Sequence, residues 1–344
     1  MPDEPRSPRS SRLLEEAGRL LRRPQVAVIV TLLLAGAVLR PVMGLAPEPI
    51  AVAPQYARPA VTVYHVLGEP GYLVPVAHRV ADGRPSPEAA VVELLAGPQA
   101  GPDLAPVFAP GAELTRFEHS GDRASVQLSA GALEGVDAAR AVDAMVLTLT
   151  EFPEIARVSV SIDGVAVDAE GLPADRPVSL ARPAPNPETP EAVAGGTELY
   201  FVYPGEDRYL VPVTRSTPAD EREPGAAMDA LLAGPLVGSG LEPVLPADVG
   251  IHSTRVEDGL ATVDFDSHLV YAYRLSKANA MFVRRAVMAT LTSLPGVDAG
   301  LIEIDGSRLL LYTCVNVTQE FPQARPWAIN DEFYLTSLDP DLAA

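Results

Sequence analysis

The sequence predicts an α+β protein that contains two copies of one small domain behind an apolar N-terminal segment. The duplication shows in two short sequences: YLVPV occurs at residues 72–76 and 209–213, and LLAGP at 94–98 and 231–235. Both pairs are offset by 137 residues (209 − 72 and 231 − 94). Around them, alternating segments typical of strands and short helical segments follow in the same order twice. Hairpins and helices repeated in this way indicate a two-layer α+β domain.

The charge of the 344-residue chain excludes one class of partner. The net charge is −19, but residues 1–40 carry seven Arg and four acidic residues, a net of +3. The remaining 304 residues therefore carry −22 (−19 − 3). Because so acidic a body repels phosphate groups, we expect no nucleic-acid partner. The lone cysteine, Cys314, excludes an internal disulfide and a cysteine-based metal site, and its apolar neighbours predict that it is buried.

A basic segment, residues 1–25, precedes the uncharged stretch VAVIVTLLLAGAVL (26–39), which PVMGLA extends beyond Arg40. The uncharged stretch is short against the ~20 residues of a full membrane span. Because Arg40 can reach the bilayer surface along its aliphatic stem, we predict an uncleaved membrane anchor over residues 26–45. A cleaved signal peptide, which would leave the body secreted, and a buried core helix are the alternatives. The basic side is expected in the cytoplasm and the acidic body outside the cytoplasmic membrane.

A Pro-rich linker over residues 46–60 leads into the first predicted domain, residues 61–171. TVYHV and YLVPV are β-rich and flank the turn GEPG, a pattern that indicates a hairpin. Pro75 lies within the second strand, and because proline donates no ladder hydrogen bond, this strand is expected at a sheet edge. Ser86 and Gly97 then mark the beginning and the end of a helix.

The second half of this domain adds two strands, a longer helix and a final hairpin. Residues 112–129 form two β-rich segments around the turn HSGD. Met145, Leu149 and Phe152 follow at the helical spacing of one buried face. The sequence IDG (162–164) ends in a dipeptide that signals a two-residue hairpin turn. The domain is therefore predicted as β-β-α-β-β-α-β-β.

The second predicted domain, residues 198–319, repeats this order, with Pro212 in its own edge strand. The dipeptide Thr254-Arg255 aligns with Thr115-Arg116 at an offset of 139 (255 − 116), whereas the next strand returns to 137 (263 − 126). This alignment predicts a loop two residues longer and a turn two residues shorter in the second domain.

Two further segments connect and end the domains. Residues 172–197 are rich in proline and poor in large apolar residues, and we predict a linker or strap without a folded element. The tail, residues 320–344, shows no counterpart in the first domain. Tyr271, Tyr273 and Trp327 fall in parts of the chain that the first domain lacks. They indicate either a partner surface or packing between the domains.

Few residues offer a catalytic or metal-binding arrangement. Asp264 and Asp266 alternate along a predicted strand and so face one side, where a carboxylate pair can serve acid–base chemistry or bind a cation. The first domain has Gln127 and Ser129 at the equivalent positions, which favours a solvated strand face. The glycine-rich GPLVGSG (234–240) follows a helix, whereas a phosphate-binding loop precedes one, and we predict an ordinary loop.

The histidines are scattered, and none has the spacing of a metal-ligand pair. They are His65, His78, His119, His252 and His268. We therefore predict no catalytic, cofactor-binding or metal-binding residues, and no cofactor.

The hairpin, LLAGP, the strands ending in VDFDS, the helix ending in TLTSLP and the strand ending in IDG together resemble the GerMN domain family of sporulation and spore-germination proteins. The resemblance covers residues 61–168 and 199–318, and the tandem arrangement resembles that of GerM-like proteins. It implies a fold similar to the ring-building motifs of secretion systems, without catalytic residues. It also implies a place outside the cytoplasmic membrane, where GerM-like proteins help assemble the channel complex between mother cell and forespore. The lipid-bearing cysteine of such proteins has no counterpart here, and the predicted anchor takes its place.

The expected function is that of a non-enzymatic, membrane-anchored assembly protein that supports sporulation or spore germination. Its expected partners are extracytoplasmic membrane-complex proteins, with self-association through exposed sheet edges as a second mode. Two alternatives stay open. One is an enzyme or binding protein that acts on cell-wall glycan through Asp264 and Asp266. The other is an accessory of a sensor kinase with no part in sporulation.

Overall fold

The computed structural model describes residues 60–80, 84–99, 101–205, 207–218, 222–272, 277–307 and 329–331. All of them belong to one compact unit that begins at Tyr56. Within these ranges no helix has both the length and the apolar character needed to cross a membrane. The predicted anchor over 26–45 lies outside the described residues, as do Tyr273, Cys314 and Trp327.

The first copy of the domain, called the first repeat below, contains two sheets and two helices. Its elements are β1 (Ala60–Leu67), β2 (Tyr72–Arg79), α1 (Pro87–Ala96), β3 (Leu104–Ala105), β4 (Leu114–Ser120), β5 (Arg123–Leu128), α2 (Ala138–Leu149), β6 (Arg157–Ile162), β7 (Val165–Val167) and β8 (Pro173–Ala174). The ends of α1 agree with the sequence signals. The Ser86 side chain accepts a hydrogen bond from the N–H of Ala89, and Gly97 ends the helix with a φ of 82°.

The two sheets of the first repeat differ in how their strands run. β1 and β2 form an antiparallel hairpin in which Leu67 lies opposite Tyr72. The second sheet has the order β4-β5-β6-β7-β8. Within it β5 and β6 are parallel, because α2 connects them and returns the chain to the same end of the sheet. The turn signals in the sequence indicate hairpins, which are antiparallel, and they do not indicate this parallel pair.

The second copy, the second repeat, has the same mixed α+β class. Its elements are β9 (Gly196–Pro204), β10 (Arg208–Ser216), α3 (Pro224–Leu232), β11 (Ile251–Glu257), β12 (Leu260–Phe265), α4 (His268–Ala272), α5 (Lys277–Thr292) and β13 (Ala299–Ile304), and the C-terminal segment adds β14 (Asn330–Asp331). β9 and β10 form a hairpin, and β12 and β13 are parallel neighbours in a sheet of order β11-β12-β13. The predicted last strand of this repeat lies outside the described residues.

The register of the strands corrects the predicted insertion and deletion. Leu114 lies opposite Leu128 in the first repeat, and Ile251 lies opposite Phe265 in the second, with a β-bulge directly after each pair. Both positions keep the offset of 137 (251 − 114 and 265 − 128). Arg255 therefore lies where the first repeat has Glu118, and the alignment of the two Thr-Arg dipeptides is wrong. Two shared residues are weaker evidence for an alignment than the register of two paired strands.

The length difference lies instead in the first hairpin of each repeat. Tyr72 and Tyr209 are equivalent, but Tyr72 pairs with Leu67 and Tyr209 pairs with Tyr203. The offset in the first strand is thus 136 (203 − 67), so the second repeat has one additional residue in this connection: five residues separate Tyr203 from Tyr209, and four separate Leu67 from Tyr72. As a consequence, His65 of the first repeat corresponds to Phe201 of the second.

Segment 172–197, expected to contain no folded element, contains short regular elements. It contributes β8 to the five-stranded sheet, and Leu180 bridges to Val158 of β6. A 3-10 helix over Pro190–Ala194 precedes β9. The prediction missed these elements because the proline-rich sequence has no periodic pattern of apolar residues. Short β-bridges form without such a pattern.

Arg182 fastens this segment to both repeats. Its guanidinium donates to Glu151 Oε1 at 2.9 Å and to the hydroxyl oxygen of Tyr64 at 3.1 Å. It also lies 3.4 Å from the carbonyl oxygen of Leu147, near the end of α2, where a cation is favourable. Glu198 of the second repeat lies 3.8 Å away.

The strands that contain Pro75 and Pro212 meet each other at the junction of the repeats, called the seam below. The seam consists of β2, β10 and two asparagines, Asn186 and Asn330. Among the described residues, β10 is the outer strand of its hairpin, and β2 has only the two-residue β14 beyond it. Each strand therefore lies at the edge of its own hairpin, as predicted. However, both edges face the junction of the repeats and not the solvent.

Asn186 joins one half of the seam. Its side-chain oxygen accepts from the N–H of Leu73 at 2.8 Å, and its amide nitrogen donates to the carbonyl oxygen of Leu73 at 2.8 Å. The same nitrogen donates to the carbonyl oxygen of Pro212 at 2.7 Å. Asn186 has a φ of 43°, a left-handed conformation that asparagine tolerates better than most residues.

Asn330 joins the other half with the same bonds in exchanged roles. It accepts from the N–H of Leu210 at 2.7 Å and donates to the carbonyl oxygens of Leu210 and Pro75 at 2.8 and 2.9 Å. Leu210 and Pro212 are the equivalents of Leu73 and Pro75 (each offset by 137). The seam is thus pseudo-twofold symmetric.

The described part of the tail has a counterpart that lies outside the first repeat, in the segment that the prediction treated as a linker. The counterpart is the segment that follows the first repeat, RPAPNPE (182–188), which is similar to RPWAINDE (325–332) apart from one inserted residue. This similarity was the available signal, but it is offset by 144 at the asparagines (330 − 186) and is not in register with the rest of the duplication.

Apolar packing crosses the seam as well. One buried cluster belongs wholly to the first repeat. The other contains the core of the second repeat together with Leu67, Val74, Val76 and Leu104 of the first, and Ile329. The repeats therefore share a core, and burial of these side chains favours one fixed arrangement of the two.

Asn186→Ala tests the seam. We expect the free energy of unfolding to fall by about 2–3 kcal/mol, because three hydrogen bonds are lost and the backbone groups of Leu73 are left unpaired. Urea denaturation measures the change. Gln99→Ala, which removes one exposed side-chain hydrogen bond, is the control and should change the stability by less than about 0.5 kcal/mol. Equal effects of the two substitutions would show that the seam adds nothing to stability.

Candidate functional site

The two candidate carboxylates each hold a different loop. Asp264 Oδ1 accepts a hydrogen bond from the N–H of Gly306 at 2.9 Å, at the turn after β13. Asp266 follows β12 and accepts from the N–H of Gly250 at 2.9 Å and from that of His268, at the start of α4, at 3.0 Å. Backbone groups therefore occupy oxygens that acid–base chemistry or a cation would need.

The first repeat makes the same bond without a charge. There the N–H of Glu113 donates to the hydroxyl oxygen of Ser129 at 3.0 Å. Glu113 and Ser129 are the equivalents of Gly250 and Asp266 (offsets of 137). Because a hydroxyl makes this bond in the first repeat, we assign Asp266 a structural role that does not require its charge.

The charge of Asp266 is nevertheless stabilised where it lies. Burial raises the pKa of Asp266, but hydrogen bonds from the His268 side chain and from the backbone of Gly250 and His268 together lower the pKa by a larger amount. The net pKa lies below the ordinary value, so this carboxylate is ionised at neutral pH.

The three exposed histidines have separate surroundings. His119 Nε2 lies 3.0 Å from the carbonyl oxygen of Gly121 in the turn after β4. His252 Nε2 lies 3.0 Å from Asp305 Oδ1, and His268 Nδ1 lies 3.1 Å from Asp266 Oδ2. Over the described ranges, no group of three His, Cys, Asp or Glu residues is placed to hold a metal ion.

The other two histidines form a buried pair that the sequence did not predict. The Nε2 atoms of His65 and His78 lie 3.0 Å apart, and both residues are 0% exposed. One ring must donate and the other accept, so the pair is held together by a single proton. Glu93 Oε2 lies 3.6 Å from the other ring nitrogen of His78.

The second repeat fills the same place with different chemistry. Phe201 and Arg215 stand at the positions of His65 and His78, and the guanidinium carbon of Arg215 lies 5.8 Å from the Phe201 ring centroid. Arg215 also binds both carboxylate oxygens of Glu188, at 2.6 and 2.8 Å. A comparison of the two repeats would have indicated the histidine pair only if the strands had been aligned in the correct register.

Outward-facing side chains of the second sheet of the first repeat form an open groove of about 520 Å³. Its polar lining includes Arg116, Glu118, Ser125, Gln127, Ser159 and Ser161. At the place of Gln127 and Ser161 the second repeat has Asp264 and Glu303, and Glu303 binds Arg255 at 2.8 Å. The two outward faces are therefore alike in shape of backbone but differ in charge.

Each of these sheets also has an open edge within the described part of the chain. β4 pairs only with β5, and β11 pairs only with β12. Both edge strands carry charged side chains and a bulge near their start. Bulges and charges on an edge limit indiscriminate strand pairing, so any partner there must match the irregular edge.

The glycine-rich segment 234–240 is a loop, as its position after a helix predicts. Val237 is fully exposed and Leu236 is 45% exposed. The loop also touches the first repeat, because the Tyr72 hydroxyl donates to the carbonyl oxygen of Ser239 at 2.7 Å.

The histidine pair predicts a pH-dependent stability. Burial first, and the neighbouring His78 second, lower the pKa of His65 to about 3. The unfolded chain, with an ordinary histidine pKa near 6.5, therefore binds more protons than the folded chain between these values. The stability from this site is complete above about pH 6.5 and is lost as the pH falls.

His65→Phe, which copies Phe201, should remove this dependence. Between pH 7 and pH 5.5 we expect the variant to lose about 1 kcal/mol less stability than the wild type, measured by urea denaturation. Asp143, whose pKa burial raises to about 6, titrates with the opposite sign but is present in both proteins. Parallel pH profiles of the two proteins would contradict the assignment.

Substitutions of Asp266 test its structural role. Asp266→Ser copies Ser129 and should keep the stability within about 0.5 kcal/mol, whereas Asp266→Ala should lower it by about 1–2 kcal/mol. Thermal or urea unfolding distinguishes them. If the Ser variant were as unstable as the Ala variant, the carboxylate itself would be required.

Comparison with known proteins identifies the family. The family model described as "Sporulation and spore germination" matches residues 62–168 and 198–310. The spore germination protein GerM of Bacillus subtilis (strain 168) is 28% identical over 209 residues, which span 56% of this chain and 56% of that protein. The solved tandem GerMN domains of the sporulation protein GerM from Bacillus subtilis share the fold, with a TM-score of 0.62, 23% identity and coverage of 79% of this chain and 98% of that one.

The chain thus spans just over half the length of the curated relative that it matches. The family model covers both repeats described above, and their tandem order agrees with the solved domains. The chain belongs to the sporulation and spore germination family of GerM-like proteins with tandem GerMN domains.

Proposed function

We propose that the protein is a non-enzymatic interaction protein that supports sporulation by helping a membrane complex between mother cell and forespore to assemble. Membership of the family supports the link to sporulation or spore germination. The observation that best supports an interaction role is the seam. There the Pro-bearing edges of the two repeats are bonded to each other through Asn186 and Asn330, and the two outward sheet faces are held in one fixed arrangement.

The chemistry of the candidate carboxylates supports the non-enzymatic part. Asp264 and Asp266 hold the backbone N–H groups of two different loops. Ser129 fills the role of Asp266 in the first repeat. A pair committed to loop geometry is poorly suited to proton transfer at a glycan, which requires an accessible acid and base.

The proposed partners are extracytoplasmic proteins of the membrane complex, and the proposed contact is the outward faces with their edges β4 and β11. The first face carries Arg116 and Glu118 among neutral polar side chains, whereas the second carries Asp264, with Glu303 buried and paired with Arg255. Such faces select partners by complementary charge. The place outside the cytoplasmic membrane, with anchorage through residues 26–45, is part of this proposal.

Deletion of the gene in its own host tests the sporulation role. We expect the count of heat-resistant spores to fall by at least tenfold after engulfment has been completed, and the wild-type gene to restore it. A normal count would remove the sporulation role and leave a general envelope accessory, for example one that binds a sensor kinase.

Complementation with surface variants tests the proposed contact. Arg116→Glu reverses a charge on the first outward face, and Glu154→Arg reverses one on an exposed residue outside the groove. We expect only the first variant to fail in restoring spores and in retaining envelope proteins after crosslinking, with both proteins folded and present at equal amounts. Equal complementation by both variants would remove this face from the proposal.

A further inference from the structure

A cleft of about 350 Å³ opens at the tip of the first hairpin and shares no lining residue with the groove on the outward face. The turn between β1 and β2, strand β3 and the start of α2 form its walls. Most of the lining is apolar and comes from Val66, Pro70, Pro106, Val107 and Val136. Arg140 of α2 is the one cation among the described lining residues.

The second repeat shows what fills the equivalent place, once the two long helices are aligned. Thr150 and Thr292 each donate from the side-chain hydroxyl to the carbonyl oxygen four residues earlier, at 2.7 Å. The offset between α2 and α5 is thus 142 (292 − 150). Arg140 is therefore equivalent to Phe282 (282 − 140).

In the second repeat, an arginine and an aromatic ring contact each other at this place. The guanidinium carbon of Arg208 lies 5.2 Å from the ring centroid of Phe282, within the range of a cation–π contact. In the first repeat Gly71 stands at the position of Arg208 (208 − 71 = 137). A Cβ atom on Gly71 would lie 2.9 Å from Arg140 Nη1. The guanidinium therefore lies against the glycine, and the first repeat has the cation of this pair without the ring.

We propose that the cleft binds an aromatic side chain of another protein, which lies against the Arg140 guanidinium and completes the pair. The Arg140 side chain is 36% exposed, so a partner can reach it from solvent. The apolar walls bury the faces of the ring that do not touch the cation.

The charges in the lining favour a neutral ring over an anionic group. Glu69 and Asp137 line the same cleft as Arg140, and Asp137 Oδ2 lies 3.7 Å from Arg140 Nε. These carboxylates repel a carboxylate or phosphate of a ligand. A neutral aromatic ring avoids this repulsion and is still attracted by the guanidinium.

The exposed side chains of the chain itself favour a different protein as the source of the ring. Among the residues whose side chains the structure describes, every exposed large hydrophobic residue is Val or Leu. This part of a second copy therefore offers no exposed ring to the cleft. The inference goes beyond the proposed function, because the cleft lies apart from the outward faces and the edges β4 and β11.

Binding of N-acetyl-phenylalaninamide to the purified full chain, followed by ligand-observed NMR, tests the cleft. We expect a dissociation constant on the order of 1 mM, as for a small fragment. N-acetyl-leucinamide should bind about fivefold more weakly, because it makes no cation–π contact. Equal binding of the two amides, or no binding of either, would overturn the proposal.

Two arginine variants locate the binding of the phenylalanine probe. Arg140→Gln removes the cation and should weaken binding by about fivefold. Arg123→Gln is the matched control, because Arg123 is exposed, lies 3.9 Å from the neighbouring Asp122 carboxylate and does not line the cleft. It should change the dissociation constant by less than about twofold. Equal effects of the two substitutions would place the probe elsewhere and contradict the assignment.

Ala105→Phe fills the cleft from the exposed side of β3 and should abolish binding of the probe, with an unfolding curve that shows the variant to be folded. Sedimentation of the wild type tests the source of the ring, and we expect no dimer that this substitution removes. Such a dimer would assign the cleft to a second copy and overturn the assignment to another protein. A normal spore count after gene deletion, in contrast, would overturn only the proposed function, because the probe is tested on the purified chain.

Discussion

The missing N–H groups of Pro75 and Pro212 determine how the two repeats join. At each proline the strand edge offers a carbonyl oxygen without a donor, so β2 and β10 cannot continue one ladder across the seam. An asparagine amide suits such an edge, because it has one acceptor and two donors in one plane. The amide of Asn186 or Asn330 takes the N–H and C=O of a leucine on one strand and the C=O of the proline on the other. The shared apolar core forms around this junction.

The repeats preserve backbone geometry while their side-chain chemistry diverges. The bulge after Leu114 and after Ile251, the two-residue turn that follows and the parallel crossover occur in both. In contrast, a buried histidine pair in one repeat corresponds to Phe201 and Arg215 in the other. The fold requires that these places be filled and hydrogen-bonded, and several combinations of residues meet that requirement.

This division has a consequence for function. The Pro-bearing edges of each repeat are occupied here by the other repeat, and the open edges of the described sheets are β4 and β11. The outward faces beside these edges differ in charge between the repeats, so a tandem chain presents two distinct contacts in a fixed relation. Under the proposed function, the two faces would meet different neighbours.

The sequence alone determined the features that depend on local geometry. The duplication, the ends of α1, the edge position of the Pro-bearing strands and the tight turns all follow from residues within a few positions of each other, where backbone preference decides. It also determined the membership of the family, through motifs that recur in both repeats.

Only the tertiary structure decided the register of β4 and β11, the parallel strand pairs, the roles of Asn186 and Asn330, and the histidine pair. Asn186 binds a strand 113 residues away and Asn330 one that is 255 residues away. An asparagine in a proline-rich or terminal segment carries no local sign of such a partner. The same holds for Asp264 and Asp266, because a carboxylate on a strand is available for chemistry only if no distant N–H group already holds it.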